Sequence, residues 1–136
     1  MEAMVNLFPL LLYYSEFAPL ILRLVLAAVF IAHGYPKLFK NFPETVAFFE
    51  SVGIKPAKFW VWVVGLVEFG GGSLLLIGFF VQPVAILISI DMLVAIWKVK
   101  YKRGFVDGYE FDLALLAIAL SLIFLGAGAY SIDLPF

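Results

Sequence analysis

The sequence predicts an all-α integral membrane four-helix bundle with a short interfacial helix between the first and second spans. Composition is the first reason. The 136 residues are 65% hydrophobic and only 14% charged, with a mean hydropathy of +1.09, whereas a soluble domain carries about 25% charged residues to cover its core. The second reason is length: four apolar stretches, at about 19–39, 59–80, 83–99 and 111–128, approach or match the roughly 20 residues that cross a hydrocarbon core as a helix. The third is that the polar residues are confined to the connections, apart from a few ionisable groups inside the spans. Residues 1–136 read as one domain of this kind. A net charge of −1 and a pI near 5.7 lack the basic excess that a phosphate-binding surface needs, so nucleic acid is excluded as a partner. The chain has no cysteine, which removes thiol–disulfide relay and thiolate-held clusters. It has one histidine, His33, so a haem held by two histidines of the same chain is also removed.

Residues 1–17 form an apolar lead containing Pro9, with Glu2 and Glu16 near its ends. It lacks the basic start of a cleaved signal and reads as an interfacial entry to the first span. That span, 19–39, opens on Pro19, suited to the first helical turn. Arg23 and Lys37, near its two ends, have side chains long enough to snorkel to the interfaces. His33 shares a helix face with Lys37, and Gly34 and Pro36 between them predict a bend or an early end to the helix.

Pro43 to Val52, closed by Gly53, reads as an amphipathic helix on the membrane surface. The second span, FWVWVVGLVEFGGGSLLLIGFF, carries Glu68 nine residues from Phe59, roughly 13 Å along the axis and near the bilayer midplane. An ionised carboxylate there costs a few kcal/mol or more unless it finds a partner or a proton. Gly70, Gly71, Gly72 and Ser73 follow it and permit close helix approach. Only Val81–Gln82–Pro83 separates this span from the third, so the two form a hairpin. The third span buries Asp91 and places Lys98 on the same face seven residues later. The loop KYKRGFVDGYEFD leads to the fourth span, where Glu110 and Asp112 suit a helix N-terminus and Ala114, Ala117 and Ser121 form a small-residue stripe for close packing.

Eight of the nine basic residues, all but Arg23, fall on the two connections at 40–58 and 100–110 or the span ends beside them. The positive-inside rule places those connections in the cytoplasm and both termini outside, in a multi-pass protein of the cell membrane. Arg23 and Asp133 then share the outer side, where they can pair. At depth, His33, Glu68, Asp91 and either Lys37 or Lys98 must each face protein or water, and a four-helix bundle offers one interior. A shared polar cluster follows, either as a functional site or as ionic glue fixing helix register. No metal-ligand pattern is present.

The segments LRLVLAAVFIAHGYPKLF, VEFGGGSLLLIGFF and the closing SID resemble the DoxX/DoxD-like integral membrane proteins, from Leu22 to Asp133. The resemblance implies a four-helix membrane protein associated with redox systems, including a subunit of thiosulfate:quinone oxidoreductase and complexes handling thiol or superoxide stress. It picks out Arg23, His33, Gly34, Lys37, Glu68, Gly71, Gly72 and Asp133 as matching recurrent positions, with Arg23, Gly34, Gly71, Gly72 and Asp133 in structural roles. It also implies a partner oxidoreductase subunit to supply the electrons, since no haem, metal or flavin is predicted within this chain.

Quinone chemistry couples two electrons to two protons, so the expected role is binding a quinone or quinol and relaying protons. His33, Glu68 and Asp91 are the candidate relay, and His33, Lys37, Glu68, Phe69 and Trp97 the candidate ring site, with Phe30 as a further aromatic. His33 and Glu68 are expected to act as one unit. The chain is at most a quinone-interacting oxidoreductase subunit. Two other readings stand beside it: a non-catalytic scaffold of an oxidoreductase complex, and a small proton-coupled transporter working as a homo-oligomer.

Overall fold

The computed structural model describes residues 7–133. Glu2 and the start of the N-terminal lead lie outside the described residues. From Pro9 to Tyr14 the lead is an exposed 3-10 segment. Five α-helices follow: α1 (Phe17–Phe39), α2 (Phe42–Ser51), α3 (Ala57–Ile77), α4 (Val81–Ala95) and α5 (Glu110–Leu125). All regular structure among the described residues is helical. Four helical stretches, Phe17–Phe39, Ala57–Ile77, Val81–Arg103 and Phe105–Leu125, are long and apolar enough to cross a membrane, and the protein is a multi-pass membrane protein.

The spans are close to their sequence-predicted positions but differ at the ends. α1 does not stop at Gly34; it runs through Pro36 to Phe39, and the Pro36 carbonyl accepts from Lys40 N and Asn41 N to close the last turn. A proline three residues from a helix end removes only one intrahelical bond, and its neighbours there are already rearranged. α3 ends at Gly78, whose φ of +75° closes the helix in the left-handed conformation that glycine adopts without a Cβ penalty. The stretch beyond α4 is ordered rather than an open loop: a π-helical turn, Ile96–Lys100, passes into a 3-10 turn, Tyr101–Arg103, and then a kinked turn, Phe105–Tyr109.

The four spans are arranged in sequence around the bundle, α1 beside α3, α3 beside α4, α4 beside α5 and α5 back to α1, with the most extensive packing between α1 and α3. The main core fills the half near the α3–α4 hairpin, where Leu26, Phe30, Leu75, Val81, Ile88, Ala119 and Leu122 are buried together. A smaller cluster of Phe49, Ala57 and Val61 docks α2 onto the start of α3. α2 therefore lies across the basic end of the bundle. The Ala114, Ala117 and Ser121 stripe faces outward and does not pack within the bundle, where α5 turns Asp112, Leu115, Leu116, Ala119 and Leu122 inward.

Candidate functional site

The site begins with glycine. A Cβ on Gly34 would lie 2.4 Å from Phe69 N and 2.9 Å from Glu68 Cβ, and one on Gly72 would lie 2.9 Å from Ile31 Cγ1 and 3.0 Å from Ile31 N. α1 and α3 are thus in backbone contact at two glycines, one from each helix. Gly71 serves a different neighbour, facing Val84 and Ile88 of α4. The contact at Gly34 sets Glu68 directly against α1, and Lys37, three residues on, shares that face.

Lys37 Nζ donates to both oxygens of Glu68, at 2.8 and 2.7 Å. Lys37 therefore does not snorkel to the interface. α1 and α3 run in opposite directions and helical side chains lean toward their own N-termini, so Lys37 leans toward the bilayer centre and Glu68 toward the basic end, and they meet. Glu68 is 3% exposed. Asp91 of α4 lines the same cavity as Lys37 and Glu68, and its Oδ2 is buried with no hydrogen-bond partner. Lys37, Glu68 and Asp91 thus bring ionisable side chains from three helices to one place.

These groups line a cavity of about 890 Å³ that borders the main core at Phe30, Met92 and Leu115. Its walls are mostly apolar, with Phe30, Phe48, Phe49, Trp60 and Phe111 among the aromatic members. A second ion pair, Lys100 Nζ to Asp112 Oδ1 at 3.2 Å, half-buried on the lysine side, also lines it. Sequence reasoning took Asp112 for a helix-terminal acid and did not single out Lys100. The available signal was that Asp112 falls inside the apolar period of α5, with buried Leu115, Leu116 and Ala119 following on its side.

Several expectations for the site do not hold. His33 lines the cavity, but it is exposed, its ring is 6.2 Å from that of Phe111, and the Glu68 oxygens are taken up by Lys37. The expected His33–Glu68 unit is replaced by Lys37–Glu68–Asp91, because Gly34 rather than His33 occupies the contact face of α1. Lys98 lines the cavity but makes no ion pair with Glu68 or Asp91, and its Nζ lies 4.4 Å over the Trp97 ring. Trp97 is 70% exposed and outside the cavity, as the π-helical turn at Ile96–Lys100 alters the α-helical register there. Phe69 is also outside it, packed on Tyr35 and Phe39 on the far side of the α1–α3 contact.

At the other end of the bundle, Arg23 is fully buried and donates to the carbonyls of Leu75, at 2.9 Å, and Tyr130. It satisfies carbonyls at the C-terminal end of α3 instead of snorkelling to the interface. The predicted Arg23–Asp133 ion pair does not form. Asp133 instead accepts from Phe80 N at 2.7 Å and Val81 N at 2.9 Å, capping α4, while its own N–H donates to the Gly78 carbonyl. These two residues tie the C-terminal segment to the α3–α4 hairpin, a structural role remote from the cavity.

The DoxX family model matches residues 18–101, a stretch that contains the α1–α3 glycine contact, Lys37, Glu68 and Asp91. The chain belongs to the DoxX family. It is 32% identical over 121 residues, 89% of this chain and 87% of the relative, to "Putative oxidoreductase CatD" of Bacillus subtilis. It is 30% identical to an uncharacterized membrane protein of Mycobacterium tuberculosis, covering 90% of this chain and 84% of the relative. An uncharacterized protein of Haemophilus influenzae is also 30% identical, with 90% and 93% covered. No solved structure matches the chain. In this DoxX protein, the stretch from His33 to Lys37 and that from Glu68 to Gly72 therefore describe one object: Gly34 and Gly72 bring the helices together, and Lys37 and Glu68 bond across the contact.

Proposed function

We propose that this DoxX protein is the membrane subunit of a redox system, binding a quinone or quinol in its cavity and passing protons along Lys37, Glu68 and Asp91. The observation that carries the reading is a mostly apolar cavity of about 890 Å³ that holds these three ionisable groups, from three helices, beside the Lys100–Asp112 pair. A volume of that size is at the upper end of the about 300–1,000 Å³ range of small-molecule sites. The donor set suits a ring with two carbonyl oxygens. Lys37 and His33 offer N–H groups, and the unpartnered Asp91 Oδ2 can accept a proton or receive a hydrogen bond.

A bound quinone takes up two electrons and two protons on reduction, and the electrons come from a redox-active partner subunit. The chain's own residues hold the ring away from water, orient it and carry the protons. Asp91, with its unpartnered oxygen beside the cavity, hands protons on, and Glu68 joins it only as its bonds to Lys37 are rearranged. The similarity to a relative named as an oxidoreductase supports the redox setting.

The test uses Trp60, which lines the cavity, in a background with Trp62→Phe and Trp97→Phe. Saturable quenching of Trp60 by a short-tailed benzoquinone is expected in detergent. Asp91→Asn, which keeps the shape and removes the titrating group, should weaken it or change its pH dependence. Absence of saturable quenching would reject the quinone site and favour a scaffold that contributes no ligand contacts.

A further inference from the structure

The cavity is not closed on all sides by the bundle. Between α3 and α4 the helices touch near the hairpin, where a Cβ on Gly71 would lie 3.2 Å from Val84 Cγ1 and 3.8 Å from Ile88 Cδ1. Toward the basic end both helices line the cavity. Its walls there are Trp60, Val64 and Val67 on α3, facing Leu87, Ile90 and Val94 on α4. Each set is spaced three or four residues apart, so each forms one helix face. Trp60, Leu87, Ile90 and Val94 are at the same time exposed, within stretches long and apolar enough to cross a membrane. The two faces make an apolar V with its apex at the Gly71 contact and Asp91 and Glu68 at its inner end.

We infer that this V is a lateral portal through which a quinone with a long isoprenoid tail enters from the bilayer, its ring reaching Asp91 and Glu68 while its tail stays between α3 and α4. The inference rests on the proposed quinone site and adds the route and the tail. A purely water-soluble ligand has no use for an apolar wall that faces lipid. A plain acyl chain has no use for the ionisable groups at its inner end. A molecule with a polar ring and a long apolar tail matches both halves, and leaving the tail in the groove requires no polar backbone to face hydrocarbon.

The test compares two benzoquinones with the same ring, one with a short tail and one with a long isoprenoid tail, bound to protein in nanodiscs and read by Trp60 quenching in the Trp62→Phe, Trp97→Phe background. Ile90→Phe and Val94→Phe each narrow the portal from an exposed position, leave the buried core alone and keep Trp60 the single tryptophan. Leu66→Phe is the control, since Leu66 is exposed on α3 but outside the cavity. Each portal variant should weaken the long-tailed quinone by about tenfold and the short-tailed one by less than about twofold, with Leu66→Phe changing neither.

If the short-tailed quinone binds normally and both portal variants leave the long-tailed one unaffected, the portal is wrong and the site stands. Equal losses for both tails would likewise overturn the portal, assigning the effect to the ring site. If neither quinone binds the unmodified protein, the functional reading fails and the portal with it. Quenching of Trp60 by dibrominated phospholipid that the long-tailed quinone does not relieve would assign the groove to lipid and overturn the proposal.

Discussion

Replacing Gly34 with alanine adds one carbon at the tightest point of the α1–α3 contact. That carbon would lie 2.4 Å from Phe69 N, whereas ordinary contact begins at 3.4 Å, so the helices must separate locally by about 1 Å. Overpacking of this kind costs about 1–3 kcal/mol, and because the obstacle is backbone no side-chain rotation relieves it. Alanine's better helix propensity returns about 0.5–1 kcal/mol. A net loss of about 1–2 kcal/mol is expected. The same separation stretches the Lys37–Glu68 bonds from 2.7 and 2.8 Å beyond hydrogen-bonding range, which adds to the loss. Gly70 is the internal comparison, as a Cβ there meets nothing within 4 Å. Gly70→Ala should therefore be neutral or stabilising by about 0.5–1 kcal/mol. Thermal unfolding in detergent, followed by helical circular dichroism, reads both. A Gly34→Ala transition at or above that of the unmodified protein, or a Gly70→Ala transition lowered as much as Gly34→Ala, would refute the backbone-contact reasoning.

Lys37→Met leaves Glu68 buried without its donor and should cost about 3–5 kcal/mol, seen as reduced yield and a lowered transition; adding Glu68→Gln should recover part of the loss, and additive losses would show that the two do not interact. Asp133→Ala removes both acceptors at the start of α4 and should cost about 1–2 kcal/mol in the same assay while leaving quinone affinity per folded molecule unchanged, since the cap is remote from the cavity. Single cysteines at Lys55 and Lys102 in this cysteine-free chain should both react with an impermeant maleimide only from the cytoplasmic side; reaction of either from outside would reverse the proposed orientation.

Much of this protein was determined locally. Hydrophobic runs as long as the hydrocarbon core make spans whatever their neighbours do, and Pro43 and Gly53 bracket α2 by their own backbone preferences. Glu68 and Asp91 were legible as site residues for the same reason: a carboxylate inside an apolar run is anomalous in any fold. Partners were not legible. Which cation answers Glu68 depends on the lean of side chains across antiparallel helices, and that lean chose Lys37 over His33 and Lys98. Arg23 looked like a snorkelling residue because sequence cannot show that the end of α3 and the C-terminal segment would come together with carbonyls to receive it. Trp97 and Phe69 are apolar residues inside spans like Phe30, and only the rotation of each helix about its axis separated the cavity wall from the outer surface. Sequence sets what each helix must hide; the tertiary structure decides from which neighbour, because helix rotation and register are fixed by contacts between segments far apart in the chain, above all the glycines that let α1 and α3 touch.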